Sequence, residues 1–127
     1  EILSGLVGSE MCIRDRFITD AEYCLFNFSK LEINHLMVEC NYSKDYLTKD
    51  LENYGHVLSG HMELETCKRL IQTINSPMLR SVGLIHLSSG NGHPERFRDE
   101  IERIVDCDVD VWVADKNMEK ELRLEPF

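Results

Sequence analysis

Basic residues, long apolar runs and paired cysteines are all scarce in this sequence of 127 residues. Lys and Arg number 14 against 23 Asp and Glu, which disfavours a broad electrostatic footprint on nucleic acid or an anionic membrane. A nuclease remains compatible with this charge, because bound divalent metal ions would reverse the local field. No run is apolar enough to span a bilayer, and no basic stretch precedes an apolar segment as in a signal peptide. The five cysteines form no C-x-x-C pair, so we expect buried free thiols and a cytoplasmic location.

The first sixteen residues resemble a translated DNA adapter. Residues 6–15, LVGSEMCIRD, are the translation in one frame of the adapter and mosaic end used in transposase-based sequencing libraries. The alternative is an ordinary N-terminal helix. We therefore expect residues 1–16 to be an artefact and residues 17–127 to be the C-terminal part of one domain.

Extended and helical patterns alternate along the rest of the chain. The predicted strands are 17–19, 35–41 and 82–87, with a short extended piece at 57–61. The predicted helices are 44–54, 63–74 and 94–105. Segments 109–113 and 120–124 are predicted to close the fold as a pair of strands, with a turn at 116–117. This alternation indicates an α/β layered fold.

Polar side chains stand where the predicted extended segments end. His86 closes an apolar strand and precedes a Ser/Gly/Asn loop, and Asp20 and His61 end two other short apolar stretches. In sheets covered by helices, chemistry collects at such strand ends. We therefore expect one rim of the sheet to gather five polar residues: Asp20, Glu39, His61, His86 and Asn91.

Each of these residues also has a purely structural interpretation. Asp20 fits a turn-forming aspartate, and His86 fits a core histidine with one hydrogen bond. Glu39 fits a buried carboxylate that holds loop backbone. His61 fits a histidine that bonds backbone at a helix entry, and Asn91 fits a loop-capping amide. Three further histidines are expected at the surface: His35, His56 and His93.

Carboxylates and histidines gathered at one rim favour a divalent metal ion. Aspartate oxygens can bridge two ions, and imidazole nitrogen suits zinc, manganese or iron. Two ions a few ångströms apart can activate water and neutralise a phosphodiester or acyl oxyanion. The candidate ligands are far apart in sequence and fit no short motif, so their spacing alone does not fix the chemistry.

Three segments carry a resemblance to a known family. Residues 18–21, ITDA, look like a "T-D-T/A" segment; residues 38–42, VECNY, look like an "E-x-N" strand end that continues to "G-H-L-S" in residues 59–62, SGHM. Residues 85–88, IHLS, with Asn91 downstream, look like "H-L-S-x-x-N". In order and spacing, the chain from Phe17 onward resembles the C-terminal half of metallo-β-lactamase-fold hydrolases. The nearest branch is that of bacterial and phage nucleases and phosphodiesterases.

The resemblance implies a role for each of these residues. Asp20 would bridge two metal ions and His86 would bind one of them, the ions being zinc or manganese. His61 would be catalytic and face the substrate, and the site would be supported by Glu39, Asn41 and Asn91. The complete enzyme would be a two-metal phosphodiesterase or nuclease with nucleic acid as its partner. The chain would form half of an αββα sandwich.

One part of the family pattern has no counterpart here. The family's "H-x-H-x-D-H" cluster, which supplies most ligands of both ions, does not occur in the 127 residues. The resemblance therefore implies that the complete enzyme is active and that this polypeptide alone is not. Two alternatives stay open on the same fold: an acyl or thioester hydrolase, and a non-catalytic binding or assembly domain.

Overall fold

The computed structural model describes residues 14–47, 52 and 54–123. Its centre is a sheet of four parallel strands: β1 (Asp15–Ile18), β2 (His35–Glu39), β3 (Ser81–Ile85) and β4 (Asp110–Val113). They lie side by side in chain order, with Ile18 opposite Val38, and Glu39 opposite Ile85. Because every strand runs the same way, all carboxyl ends meet at one edge of the sheet.

Three helices are present in the described part of the chain: α1 (Tyr54–Gly60), α2 (Leu64–Ile74) and α3 (Pro94–Glu102). Glu63 caps α2 by accepting a hydrogen bond from Glu65 N at 2.7 Å. His93 caps α3 by accepting one from Arg96 N at 3.2 Å, and Pro94 occupies the first turn, where its missing N–H is tolerated.

One face of the sheet is the core. Leu36 and Val38 of β2 and Val82 and Leu84 of β3 alternate with residues of the other face and are fully buried. Right-handed crossovers between consecutive strands place the helices on one side of such a sheet. The helices contribute their apolar stripes to the same cluster, through Cys67, Ile71, Ile74, Phe97 and Ile101.

The opposite face is held together differently. Gly83 of β3 lies beside Trp112 of β4 in register. The Trp112 ring lies so close to Gly83 that a Cβ there would meet ring atom Cζ2 at 2.3 Å. Phe17 of β1, in the same register row as Gly83 and Trp112, is 60% exposed. The face opposite the helices is therefore thinly covered in the described residues.

The α/β class predicted from the sequence is confirmed, and so are the predicted strand at 109–113 and the turn at 116–117. The helices predicted at 63–74 and 94–105 are present with slightly shorter bounds. The αββα sandwich remains a prediction, because the described residues form a single sheet. Residues 48–51 and 53 of the helix predicted at 44–54 lie outside the described residues. Residues 44–46 form a turn.

Two predicted elements are wrong. Residues 57–60 are helical rather than extended, because Tyr54, Val57 and Leu58 follow the helical spacing and Ser59 Oγ donates to Gly55 O at 2.8 Å. Residues 120–123 form no strand, and β4 pairs with β3 alone among the described residues. Lys120 instead pairs through its side chain with Asp110 at 2.6 Å.

The predicted adapter boundary falls inside β1. Residues 1–13 lie outside the described residues, whereas Asp15 and Arg16 pair in register with His35 and Leu36 of β2. The backbone at Arg14 is bound to Asn34, whose Oδ1 accepts from Arg14 N at 3.0 Å. The strand thus begins two residues before the predicted domain boundary.

The described cysteines are free. Cys40 and Cys67 are buried, as predicted, whereas Cys107 is exposed. A hydrogen bond with Cys67, together with burial, raises the pKa of the Cys40 thiol well above its usual range. Among the described helices, none has the length and apolarity needed to cross a bilayer.

Candidate metal centre

Three neighbouring strands deliver polar side chains to the carboxyl edge of the sheet. Glu39 is the last residue of β2, His86 directly follows the last residue of β3, and Asp20 stands two residues after the end of β1. His61 comes from the junction between α1 and α2, on the crossover that links β2 to β3. One ligand atom from each of the four residues lies within 4.8 Å of the others. We call Asp20, Glu39, His61 and His86 the four-residue cluster.

Glu39 is the buried centre of this cluster. Its side chain has no solvent exposure, so its two oxygens need hydrogen-bond partners within the protein. Ala21 N donates to Oε2 at 3.1 Å, and His61 Nδ1 lies 2.7 Å from Oε1 in hydrogen-bonding geometry. In the tautomer that carries its hydrogen on Nδ1, His61 donates this bond and the other ring nitrogen keeps its lone pair.

His86 shares the same carboxylate oxygen. Its Nδ1 lies 2.7 Å from Glu39 Oε1 and 3.3 Å from Asp20 Oδ1. The backbone of His86 has a φ of 57°, in the left-handed region that non-glycine residues seldom adopt. Asn41 Nδ2 donates to the His86 carbonyl at 2.6 Å and so holds this turn in place.

Asp20 is the exposed member of the cluster. Its side chain is 69% exposed, and its φ of 52° also lies in the left-handed region. Such a conformation costs on the order of 1 kcal/mol and persists only where the surroundings impose it. The hydrogen bond from the next residue, Ala21, to Glu39 supplies that constraint.

His61 places a second imidazole ring against the first. The His61 and His86 ring centroids are 5.0 Å apart at an interplanar angle of 77°. On its other side, His61 meets His56 of α1 edge-on, with centroids 5.2 Å apart. His56 was expected at the surface and is exposed. Its nearness to the cluster was missed because residues 57–60 were predicted to be extended rather than helical.

The loop after β3 is braced by the asparagines predicted to support the site. Asn91 is buried, and its Nδ2 donates to Ser88 Oγ at 3.3 Å. Its carbonyl accepts from Ser43 N at 3.1 Å, which ties the loop to the segment after β2. Asn41 therefore contacts the residue that carries a cluster imidazole, whereas Asn91 contacts the loop behind it.

Arg96 fixes the outer side of the same segment. It pairs with Asp45 at 2.6 Å and with Glu100 at 2.9 Å, and its guanidinium lies 5.2 Å from the Tyr46 ring centroid. The hydrogen bond from Arg96 lowers the pKa of the Asp45 carboxyl. Burial acts to raise the pKa of Glu100, but hydrogen bonds from Lys68 and Arg96 outweigh it and leave that pKa lowered. This network anchors α3 to the segment behind the cluster.

The donor set of the cluster fits a divalent cation. Two carboxylates and two imidazoles combine oxygen and nitrogen ligands, the set that zinc and manganese sites use. The buried carboxylate against two histidines also matches the way proteins orient imidazole ligands. The group could therefore hold a metal ion. The structure brings together Asp20, His61 and His86, and it puts Glu39, predicted to be a supporting residue, among them.

No family model, curated protein or solved structure matches this chain. The function of the cluster is therefore argued from its geometry and donor chemistry.

Proposed function

We propose that this chain carries the metal-binding rim of a metal-dependent hydrolase. The observation that carries the proposal is the four-residue cluster, whose ligand atoms lie within 4.8 Å of one another at the carboxyl edge of a parallel sheet. That edge is where α/β proteins place their binding sites. Asp20 and His86 would hold the ion, which we propose to be zinc or manganese.

When bound, such an ion supplies Lewis acidity and lowers the pKa of a coordinated water. The chain's own residues perform the remaining tasks. Glu39 holds His61 by its Nδ1 and keeps the ring in one orientation. The outer nitrogen of His61 is then free to accept or return a proton at the reacting group. Asn41 holds the turn at His86 by donating to its carbonyl, and Asn91 bonds Ser88 in the loop that follows.

Phosphodiesters, nucleic acid among them, are the substrate class that the resemblance indicates. Aspartate and histidine ligands around divalent ions are well suited to a phosphodiester, because the ions neutralise its charge. Acyl esters and thioesters are a second candidate class. A specific observation favours this second class: the open cleft beside Asp20 is lined by uncharged, largely apolar residues.

The experiment that tests the proposal measures metal and ligand separately. Titration calorimetry with zinc and with manganese should give one ion per wild-type chain, and His86→Ala should lose it. His61→Ala should keep most of the metal, yet bind dimethyl phosphate or acetate more weakly. The exposed histidine variant His93→Asn, which preserves a helix cap, is the matched control.

Two results would overturn the proposal. Wild type that binds no more metal than His86→Ala would remove the metal site. Equal ligand binding by metal-loaded and metal-free protein would remove the link between ion and substrate. Turnover is not the criterion, because the H-x-H-x-D-H cluster implied by the resemblance does not occur in these residues.

A further inference from the structure

The end of β1 and the segment after it form a cleft beside the four-residue cluster. The cleft has a volume of about 420 Å³ and nine lining residues: Phe17, Ile18, Thr19, Ala21, Tyr23, Cys24, Leu25, Phe26 and Phe28. Asp20 sits in sequence between two of these residues, Thr19 and Ala21. Ala21 also donates to Glu39 Oε2 at 3.1 Å. Residues 19–21 therefore belong partly to the cleft and partly to the cluster.

The apolar side chains of this cleft are unusually exposed. Tyr23 is 58% exposed, Phe26 72% and Leu25 82%. Leaving several large apolar groups in water next to one another is unfavourable, and contiguous patches of this kind mark binding sites. The volume lies in the range of pockets that take small organic ligands.

The lining chemistry selects among ligands. None of the nine lining residues carries a charge. A single guanidinium, that of Arg16, lies over the Phe28 ring at 5.4 Å from its centroid, and the whole chain has a net charge of −9. A nucleic-acid strand needs cationic groups along its phosphates as well as aromatic surfaces for its bases. A flexible hydrocarbon chain needs only apolar contacts, because its affinity comes from removing methylene groups from water.

We infer that this cleft binds the acyl chain of the substrate, so that the hydrolase acts on a fatty ester or thioester. The inference rests on the proposed function, since it assigns the cleft to the substrate of the same rim. The reacting carbonyl would lie at Asp20 and His86, and the chain would extend along Tyr23, Leu25 and Phe26. Phosphodiesters would then be poor ligands of the site.

The test compares two hydroxamates that differ only in chain length. Octanohydroxamate and acetohydroxamate present the same metal-binding group to zinc-loaded protein. We expect octanohydroxamate to bind about 60-fold more tightly. That ratio corresponds to about three buried methylene groups at about fourfold each. The double variant Leu25→Ser/Phe26→Ser should lose most of this ratio, whereas Met118→Ser, at a residue 43% exposed elsewhere on the surface, should keep it.

Thermal melts would establish that the exposed-site variants fold. Equal affinity of the wild type for the two hydroxamates would overturn the inference. An equal loss of the affinity ratio in Leu25→Ser/Phe26→Ser and in Met118→Ser would also overturn it. Competition by a single-stranded oligonucleotide for the cleft would overturn it in favour of nucleic acid. Sedimentation that shows wild-type self-association, abolished by Leu25→Ser/Phe26→Ser, would assign the cleft to a second copy of the chain.

Failure of the proposed function gives a different pattern. If wild type binds no zinc, the metal centre fails whatever the cleft does. Octanoate binding to metal-free protein then tests the cleft alone, against acetate and with the same variants. If wild type binds zinc but its hydroxamate affinity does not depend on chain length, the metal centre stands and the assignment of the cleft to an acyl chain is wrong.

Discussion

His86 Nδ1 lies 3.3 Å from Asp20 Oδ1, although the two residues are 66 positions apart in the sequence. Parallel pairing of β1, β2 and β3 creates this contact, because it puts the residues that follow Ile18 and Ile85 on one edge. Glu39, between them on β2, approaches the same His86 nitrogen at 2.7 Å. One nitrogen of His86 therefore lies within reach of both carboxylates at the rim.

Asp20→Asn should weaken zinc binding while leaving the fold intact. Asparagine tolerates the left-handed backbone that Asp20 adopts, so the change removes the charge without adding strain. We expect the dissociation constant for zinc to rise about 10- to 100-fold, measured by calorimetry. Asp108→Asn, an exposed aspartate outside the cluster, should leave it unchanged. Unaltered zinc affinity in Asp20→Asn would exclude Asp20 as a ligand.

Glu39→Ala should destabilise the metal-free protein. The substitution removes the buried carboxylate, which accepts a hydrogen bond from Ala21 N and lies within hydrogen-bonding distance of His61 Nδ1. Both groups would lose this partner. We expect the free energy of unfolding to fall by about 2–4 kcal/mol in urea denaturation. In Glu39→Gln the free energy of unfolding should fall by less, because the amide oxygen of Gln still accepts one hydrogen bond. Glu119→Ala, at an exposed site, should stay within about 0.5 kcal/mol of wild type; a similar small loss for Glu39→Ala would contradict the buried network.

Gly83→Ala should disturb the face of the sheet opposite the helices. The new Cβ would meet the Trp112 ring at 2.3 Å, so the ring must move or the strands must separate. We expect a loss of about 1–3 kcal/mol, together with a shift in the fluorescence of Trp112, the only tryptophan in the chain. Gly90→Ala is the control, since a Cβ there has no neighbour within 4 Å. An unchanged emission spectrum in folded Gly83→Ala would show that the ring does not lie there.

His35 should make the fold sensitive to mild acid. Contrary to the sequence-based expectation, it is buried, and its Nδ1 lies 2.8 Å from Ser81 Oγ. Burial lowers the pKa of His35, with Arg80 adding to the effect and Asp15 opposing it. The unfolded chain then binds more protons than the folded one as pH falls from about 6.5. The stability present above that pH is lost through this window.

The measurement for His35 is the melting temperature at about pH 7.5 and about pH 5.5. The drop on acidification should be smaller in His35→Asn than in wild type, because the neutral amide does not titrate. His93→Asn, which changes an exposed histidine, should retain the wild-type drop. Identical acid sensitivity in His35→Asn and wild type would place the titrating group elsewhere.

Much of the architecture follows from local patterns. The residues Leu64, Cys67 and Ile71 are buried along one side of α2. Their spacing of three and four residues matches the helical period, so the sequence predicts an amphipathic helix. Pro94 marks the start of α3 for the same local reason. Residues 36–38 are apolar and lie at the centre of a segment of strand length, and β2 occupies residues 35–39. These features depend on neighbours in sequence, so the sequence alone predicts them.

Residues 57–60 and 120–123 show where local patterns mislead. Both segments are short: residues 57–60 are VLSG and residues 120–123 are KELR, and a stretch of four residues with one or two apolar members does not separate a strand from a helical turn or a loop. The conformation of each segment depends on its tertiary contacts. Val57 is buried within α1, and the Lys120 side chain forms an ion pair with Asp110. Burial of His35 also depends on a distant partner, Ser81, and not on its neighbours in sequence.

The sequence by itself determined the α/β alternation and the polar residues that end its strands, because periodicity and turn chemistry act between near neighbours. Only the tertiary structure decided that one ligand atom from each residue of the four-residue cluster lies within 4.8 Å of the others. It also decided that Glu39 is the buried hub rather than a peripheral support. Strand order and register set both results, and they arise from pairing between segments far apart in the chain.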